Sequence, residues 1–90
     1  MSNLQNKICI VVLQRGNVLI GKIERDGSDC TLHSAQVIRR WGTTHGLGEL
    51  AEKGQTSTTV LDKCYGTVFF DYLTVIFAIE CKRDIWEKIL

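Results

Sequence analysis

No proline occurs anywhere in the chain, and no apolar run is long enough to cross a bilayer. The longest, ICIVVL and LTVIFAI, fall well short of the roughly 20 residues a spanning helix needs, so no membrane role is expected. An excess of charge is missing too: 11 Lys and Arg stand against 10 Asp and Glu, for a net charge of +1. That balance argues against a strongly basic nucleic-acid binder and against an acidic mimic of DNA. Only two histidines are present, His33 and His45, and the chain has no H-x-x-x-H, H-E-x-x-H or C-x-x-C pair. Cys30 and His33 lie three apart, but in an extended strand they point to opposite faces and cannot chelate together. G-x-S-x-G, P-loop and paired-carboxylate signatures are absent as well. No metal and no cofactor is therefore expected, and catalysis is the least supported class. The Cys–His pair that the composition allows, Cys64 with His45, competes with the far commoner inert, buried thiol.

What is present fits one small domain. Ninety residues sit near the size at which a single core is only marginally sufficient, and the 44% apolar content is ordinary for a globular chain. The four cysteines, Cys9, Cys30, Cys64 and Cys81, permit two disulfides by count alone. The start, MSNLQNK, has no apolar segment of the secretory kind, so the thiols are read as reduced in a cytosolic protein, packing like small hydrophobes.

The first half reads as an antiparallel meander. Ile8 to Leu13 is β-branched and nearly all apolar, as in a strand buried on both faces. QRGN (Gln14 to Asn17) supplies a turn. Gly21, inside the next strand, marks a bend or bulge of the kind small barrels need at corners. Asp26-Gly27 is the best hairpin signal and predicts a type I′ turn. Beyond it, Cys30 and Leu32 alternate with Thr31 and His33; Ala35, Val37 and Arg39 then face one way while Gln36, Ile38 and Arg40 face the other. The period then changes: Leu47, Leu50 and Ala51 lie at i, i+3 and i+4, with Thr43 or Thr44 as N-cap and Gly54 as the stop, which predicts a short helix over about 46–53. QTSTT is a polar loop suited to a mobile edge or a binding rim. TVFFDYLTVIFAIE returns to strand, broken at Asp71. Ile85, Trp86, Ile89 and Leu90 form one helical stripe, which either closes its own fold or docks on a neighbouring subunit.

Two resemblances follow from these residues. The order of apolar strand, Gly16, Ile20-Gly21-Lys22-Ile23, Asp26-Gly27, Leu32 and Ala35 is similar to the first Sm motif, over residues 7–40. It implies a mainly β protein with minor α, a small SH3-like or Sm-like antiparallel barrel with the short helix and a C-terminal helical turn added. DKCYGTVFFDYL does not supply the second Sm motif, so the uridine pocket of that family is not carried over. Over nearly the whole chain, GNVLIGKIERDGSDCTLHSAQVIRRW followed by GLGELAEKG resembles a family of small bacteriophage and prophage domains of unknown function. That resemblance implies a phage or mobile-element origin and a place in the bacterial host cytosol.

The segment RRWGTTHGLGEL carries the candidate site. Arg39 and Arg40 offer planar donor forks for phosphate, and Trp41 offers a stacking surface. Thr43 and Thr44 bring hydroxyls, His45 a titratable imidazole, and Gly46 a helix start with free amides. Each has a structural alternative: Trp41 as a core aromatic, one arginine paired to Glu49, Asp62 or Asp71, the glycines serving the turn alone. The leading expectation is a non-catalytic module that binds or sequesters a small anionic ligand, a nucleotide-type immune signal, as an anti-defence protein. The alternatives are a protein-interaction module that inhibits a host factor and a single-stranded nucleic-acid binder of the Sm type. Self-association into a homo-oligomer is expected under all three, because apolar strands leave edges to hide.

Overall fold

The computed structural model describes residues 6–90. Six strands run antiparallel: β1 (Lys7–Leu13), β2 (Val18–Asp26), β3 (Asp29–Arg40), β4 (Val60–Lys63), β5 (Val68–Asp71) and β6 (Val75–Glu80). Two short helices among the described residues, α1 (Leu47–Lys53) and α2 (Arg83–Trp86), complete a mainly β architecture. The ladder order is β4-β3-β2-β1-β6, and β5 also pairs with β3. Thus β4 and β5 lie end to end along one long strand: β4 meets the Gln36–Arg40 half of β3, and β5 meets the Asp29–Leu32 half.

A 3-10 turn of three residues, Tyr72–Thr74, carries the chain from β5 on one edge of the sheet to β6 on the other. On a flat sheet the four inter-strand steps between them would span roughly 19 Å at about 4.8 Å each. A 3-10 turn rises only about 2 Å per residue, so the sheet is strongly bent. The bend sits where the sequence placed it. Between Ile20 and Lys22 the β2–β3 register shifts, leaving Ser34 and Ala35 opposite Gly21. Ser34 takes a left-handed φ of 53°. A Cβ on Gly21 would lie 2.7 Å from Leu32 Cγ and 2.8 Å from the His33 carbonyl oxygen, so only glycine lets the strands approach so closely. The expected barrel is seen as a bent sheet that is open in hydrogen-bonding terms, since no ladder joins β6 to β4 or β5 among the described residues.

Both faces of β1 are buried, as its unbroken apolar run predicts. Ile8 and Ile10 pack with Ile20, Ile38 and the helix residues Leu47, Leu50, Ala51 and Trp86. Cys9 and Val11 pack with Leu19, Ile23, Leu32 and Ala35 on the opposite, concave side. Trp86 is fully buried, and its indole N–H donates to the Leu50 and Ala51 carbonyls at 3.1 Å each, closing the C-terminal end of α1. Ile85, Ile89 and Leu90 pack against the same cluster, so the C-terminal stripe covers its own chain. Cys9, Cys30, Cys64 and Cys81 are all free thiols. Burial pushes Cys9 up to about 11 and Cys81 up to about 12, which leaves both protonated and unreactive.

Two local expectations need correction. The two residues between the paired Asp26 and Asp29 are Gly27 and Ser28, and of these only Gly27 has positive φ, at 62°. That is the pattern of a II′ turn, which puts Gly first; a I′ turn would need positive φ at both residues. Neither threonine caps α1: its N-cap is Gly46, with no side-chain cap bond. Gly54 does end the helix, at φ 85° with its N–H donating to the Leu50 carbonyl.

Candidate functional site

The residues 39–46 leave the sheet at the end of β3 and lead into α1. A register shift between Ile38 and Arg40 makes Arg39 the extra residue of a bulge. Its guanidinium pairs with Asp62, Nε to Oδ2 at 2.9 Å, so of the three carboxylates the sequence offered, Asp62 takes it. Arg40 is exposed, and its side chain has no hydrogen bond or ion pair among the described residues. Trp41 is 44% exposed. The second tryptophan, Trp86, is the core one.

The backbone under Trp41 is held by a loop that sequence reasoning took for a mobile edge or rim. Thr59 Oγ1 donates to the Trp41 carbonyl at 2.7 Å, and Thr56 Oγ1 donates to the Gly42 carbonyl at 2.7 Å. Thr58 Oγ1 reaches the Gly42 carbonyl as well, at 3.3 Å. Gly42 has φ 70°, and a Cβ there would fall 2.5 Å from Thr59 N and 2.7 Å from Thr58 C. The glycine is therefore required by the threonine loop pressed against it. The signal in the sequence was the density of hydroxyls in QTSTT, but nothing local tied them to Trp41-Gly42.

The rest of the segment divides. Thr43 Oγ1 donates to the Gly46 carbonyl at 2.6 Å, so that hydroxyl closes its own turn. Thr44 and His45 are exposed. The His45 backbone N–H donates to Glu49 Oε1 at 2.9 Å. This carboxylate takes the amide of the residue before the N-cap Gly46, while no side chain caps α1 itself. What the geometry offers to solvent is Arg40, the Trp41 indole, Thr44 and His45, on a backbone fixed by threonines.

The opposite end of β3 is different in character. A groove of about 560 Å³ is lined by Glu24, Asp26, Asp29, Thr31, Phe69 and Asp71, with Arg25, Cys30 and Phe70 beside them. Four carboxylates thus face one guanidinium, and that one lies 3.4 Å over the Tyr72 ring and donates to the Gly27 carbonyl at 2.7 Å. Sequence reasoning missed this groove because it exists only once β5 is in register with β3.

No protein-family model matches the chain, and no curated protein matches it. No helix among the described residues is long and apolar enough to cross a membrane, and no group of three or more His, Cys, Asp and Glu among them is placed to hold a metal ion.

Proposed function

We propose that the protein is a non-catalytic binding module that takes a small anionic ligand of nucleotide type on the exposed side of residues 40–45. The observation that carries this reading is an exposed indole, Trp41, next in sequence to Arg40, whose guanidinium has no partner among the described residues, on a backbone held by three threonine hydroxyls. A base stacks on the indole, a phosphate takes the guanidinium fork, and little conformational entropy is lost on binding because the loop is already ordered. Arg39 and Thr43 support the segment rather than the ligand, since the Arg39 guanidinium is paired with Asp62 and the Thr43 hydroxyl with the Gly46 carbonyl.

The bent sheet, with its three-residue 3-10 turn between opposite edges, supports an SH3-like barrel as the finer description of the fold. The resemblance to phage and prophage domains supports sequestration of a host immune signal in the bacterial cytosol as the task, and a homo-oligomer as the working form.

Calorimetry with a panel of cyclic dinucleotides and ADP-ribose derivatives tests the ligand class at protein concentrations in the tens of micromolar. Saturable binding to at least one member, weakened at least tenfold by Arg40→Ala and by Trp41→Ala, is expected. Absence of heat with every member, or equal binding by both variants, would overturn the reading.

A further inference from the structure

We infer that the β5 edge at the hairpin tip docks a foreign, extended, positively charged polypeptide segment, which adds as a strand beside β5. The register builds two cross-strand rows here. Glu24, Thr31 and Phe69 stand opposite one another, and two residues further along stand Asp26, Asp29 and Asp71. Phe69 is 75% exposed, and the second row places three like charges side by side. Like charges directly opposite destabilise a sheet, and the Asp26 and Asp29 side chains have no partner among the described residues.

The backbone supplies an independent pointer to a polypeptide. The Tyr72 N–H donates to the Ser28 carbonyl, which fixes the alternation of the β3–β5 ladder. Cys30–Phe70 and Leu32–Val68 are then the hydrogen-bonded pairs, so the N–H and C=O of Phe69 and the N–H of Asp71 turn outward. The Asp71 carbonyl is taken by Thr74 Oγ1. No strand covers that edge of β5 among the described residues. An added strand would bond to Phe69, set one side chain beside its ring and set another, two residues along, beside the aspartate row. The residues facing that row must be Lys or Arg, and the one facing Phe69 apolar.

A second copy of the chain meets this demand less well: of its edge strands, β6 reads VIFAIE, without a cation and ending in Glu80, and β4 reads VLDK, four residues whose single cation, Lys63, sits beside Asp62. Nor do the carboxylates gather into a metal site among the described residues.

The test uses the whole ¹⁵N-labelled chain and a terminally blocked octapeptide, Val-Thr-Arg-Thr-Val-Thr-Arg-Thr, one face of which alternates valine and arginine. Expected are amide shifts concentrated at Phe69 and Asp71 with slowed exchange of the Phe69 N–H, and a dissociation constant raised at least tenfold by the double variant Asp26→Asn/Asp29→Asn. An analogue with glutamate for arginine should not bind, and one N-methylated on the pairing amides should bind at least tenfold more weakly. Absence of shifts at the β5 edge, or equal binding by the N-methylated peptide, would overturn strand addition. Undiminished binding by the double variant would overturn the charge recognition. Arg40 and Trp41 are not involved, so this result stands or falls separately from the nucleotide reading.

Discussion

The two ends of β3 are built on opposite plans. At the Arg40 end every backbone carbonyl from Trp41 to Gly42 is held by a threonine hydroxyl, one guanidinium is neutralised by Asp62, and a single arginine and an indole are left to solvent. At the Asp29 end the Asp26 and Asp29 side chains have no partner among the described residues, Asp71 accepts from the Leu73 N–H, and no strand among them covers the outer edge of Phe69. The first end spends its hydrogen bonds on rigidity and offers side chains. The second accepts electrostatic repulsion and offers both charge and backbone. An overall charge of +1 conceals this division, because it sums 11 cations and 10 anions over the whole chain.

The comparison can be broken most severely from behind. Trp86 closes α1, and α1 anchors the far end of the Trp41–Gly46 segment. Trp86→Ala is expected to cost about 3–5 kcal/mol in denaturant unfolding, and to loosen the Arg40 end before the Asp29 end in hydrogen exchange. Gly42→Ala comes next. It forces a left-handed φ on alanine and drives a Cβ into the Thr58–Thr59 backbone, for a loss of about 1–3 kcal/mol. A structure of that variant should show the threonine loop displaced and the hairpin tip unchanged. Asp29→Asn sharpens the contrast with a smaller effect of the opposite sign. Relieving the central repulsion should raise stability by roughly 0.2–1 kcal/mol at low ionic strength, and the gain should shrink in molar salt.

The core shared by both ends gives a pH prediction with no effect near neutrality. Below the ordinary thiol value of 9.0 both folded and unfolded chains keep Cys9 and Cys81 protonated. Above it the unfolded chain ionises first, because burial holds the folded thiols near about 11 and 12. Unfolding then releases protons, so stability falls as pH rises from about 9, and Cys9→Ala/Cys81→Ala should flatten that slope in thermal unfolding. Near neutral pH, Cys64, the half-buried thiol, should alkylate first.

Much of the frame was legible because it rests on local chemistry. An unbroken β-branched run gave β1 its two buried faces, a glycine inside a strand marked the Gly21 corner, and Gly54 and Asp71 marked real ends. The stripe Ile85, Trp86, Ile89, Leu90 announced a packed face but left its partner open, and the structure gives that face to α1 and β1 of the same chain. What sequence reasoning missed depends on contacts between distant residues. Thr56 meets Gly42 fourteen positions away, and Asp29 meets Asp71 only through the register of β5. Within the candidate site, the threonines looked like helix caps because hydroxyls before an apolar run usually are. Here Thr43 bonds to a carbonyl, and Glu49 reaches back to an amide instead.

The most direct test of the two-ended account is an amide-resolved NMR titration of the intact chain with ADP-ribose. The account predicts shifts confined to residues 40–46 and the threonines beneath them, quenched Trp41 emission, and silence at residues 24–31 and 69–71. Shifts centred on Phe69 and the aspartate row, or a silent Arg40 end at saturating ligand, would contradict it.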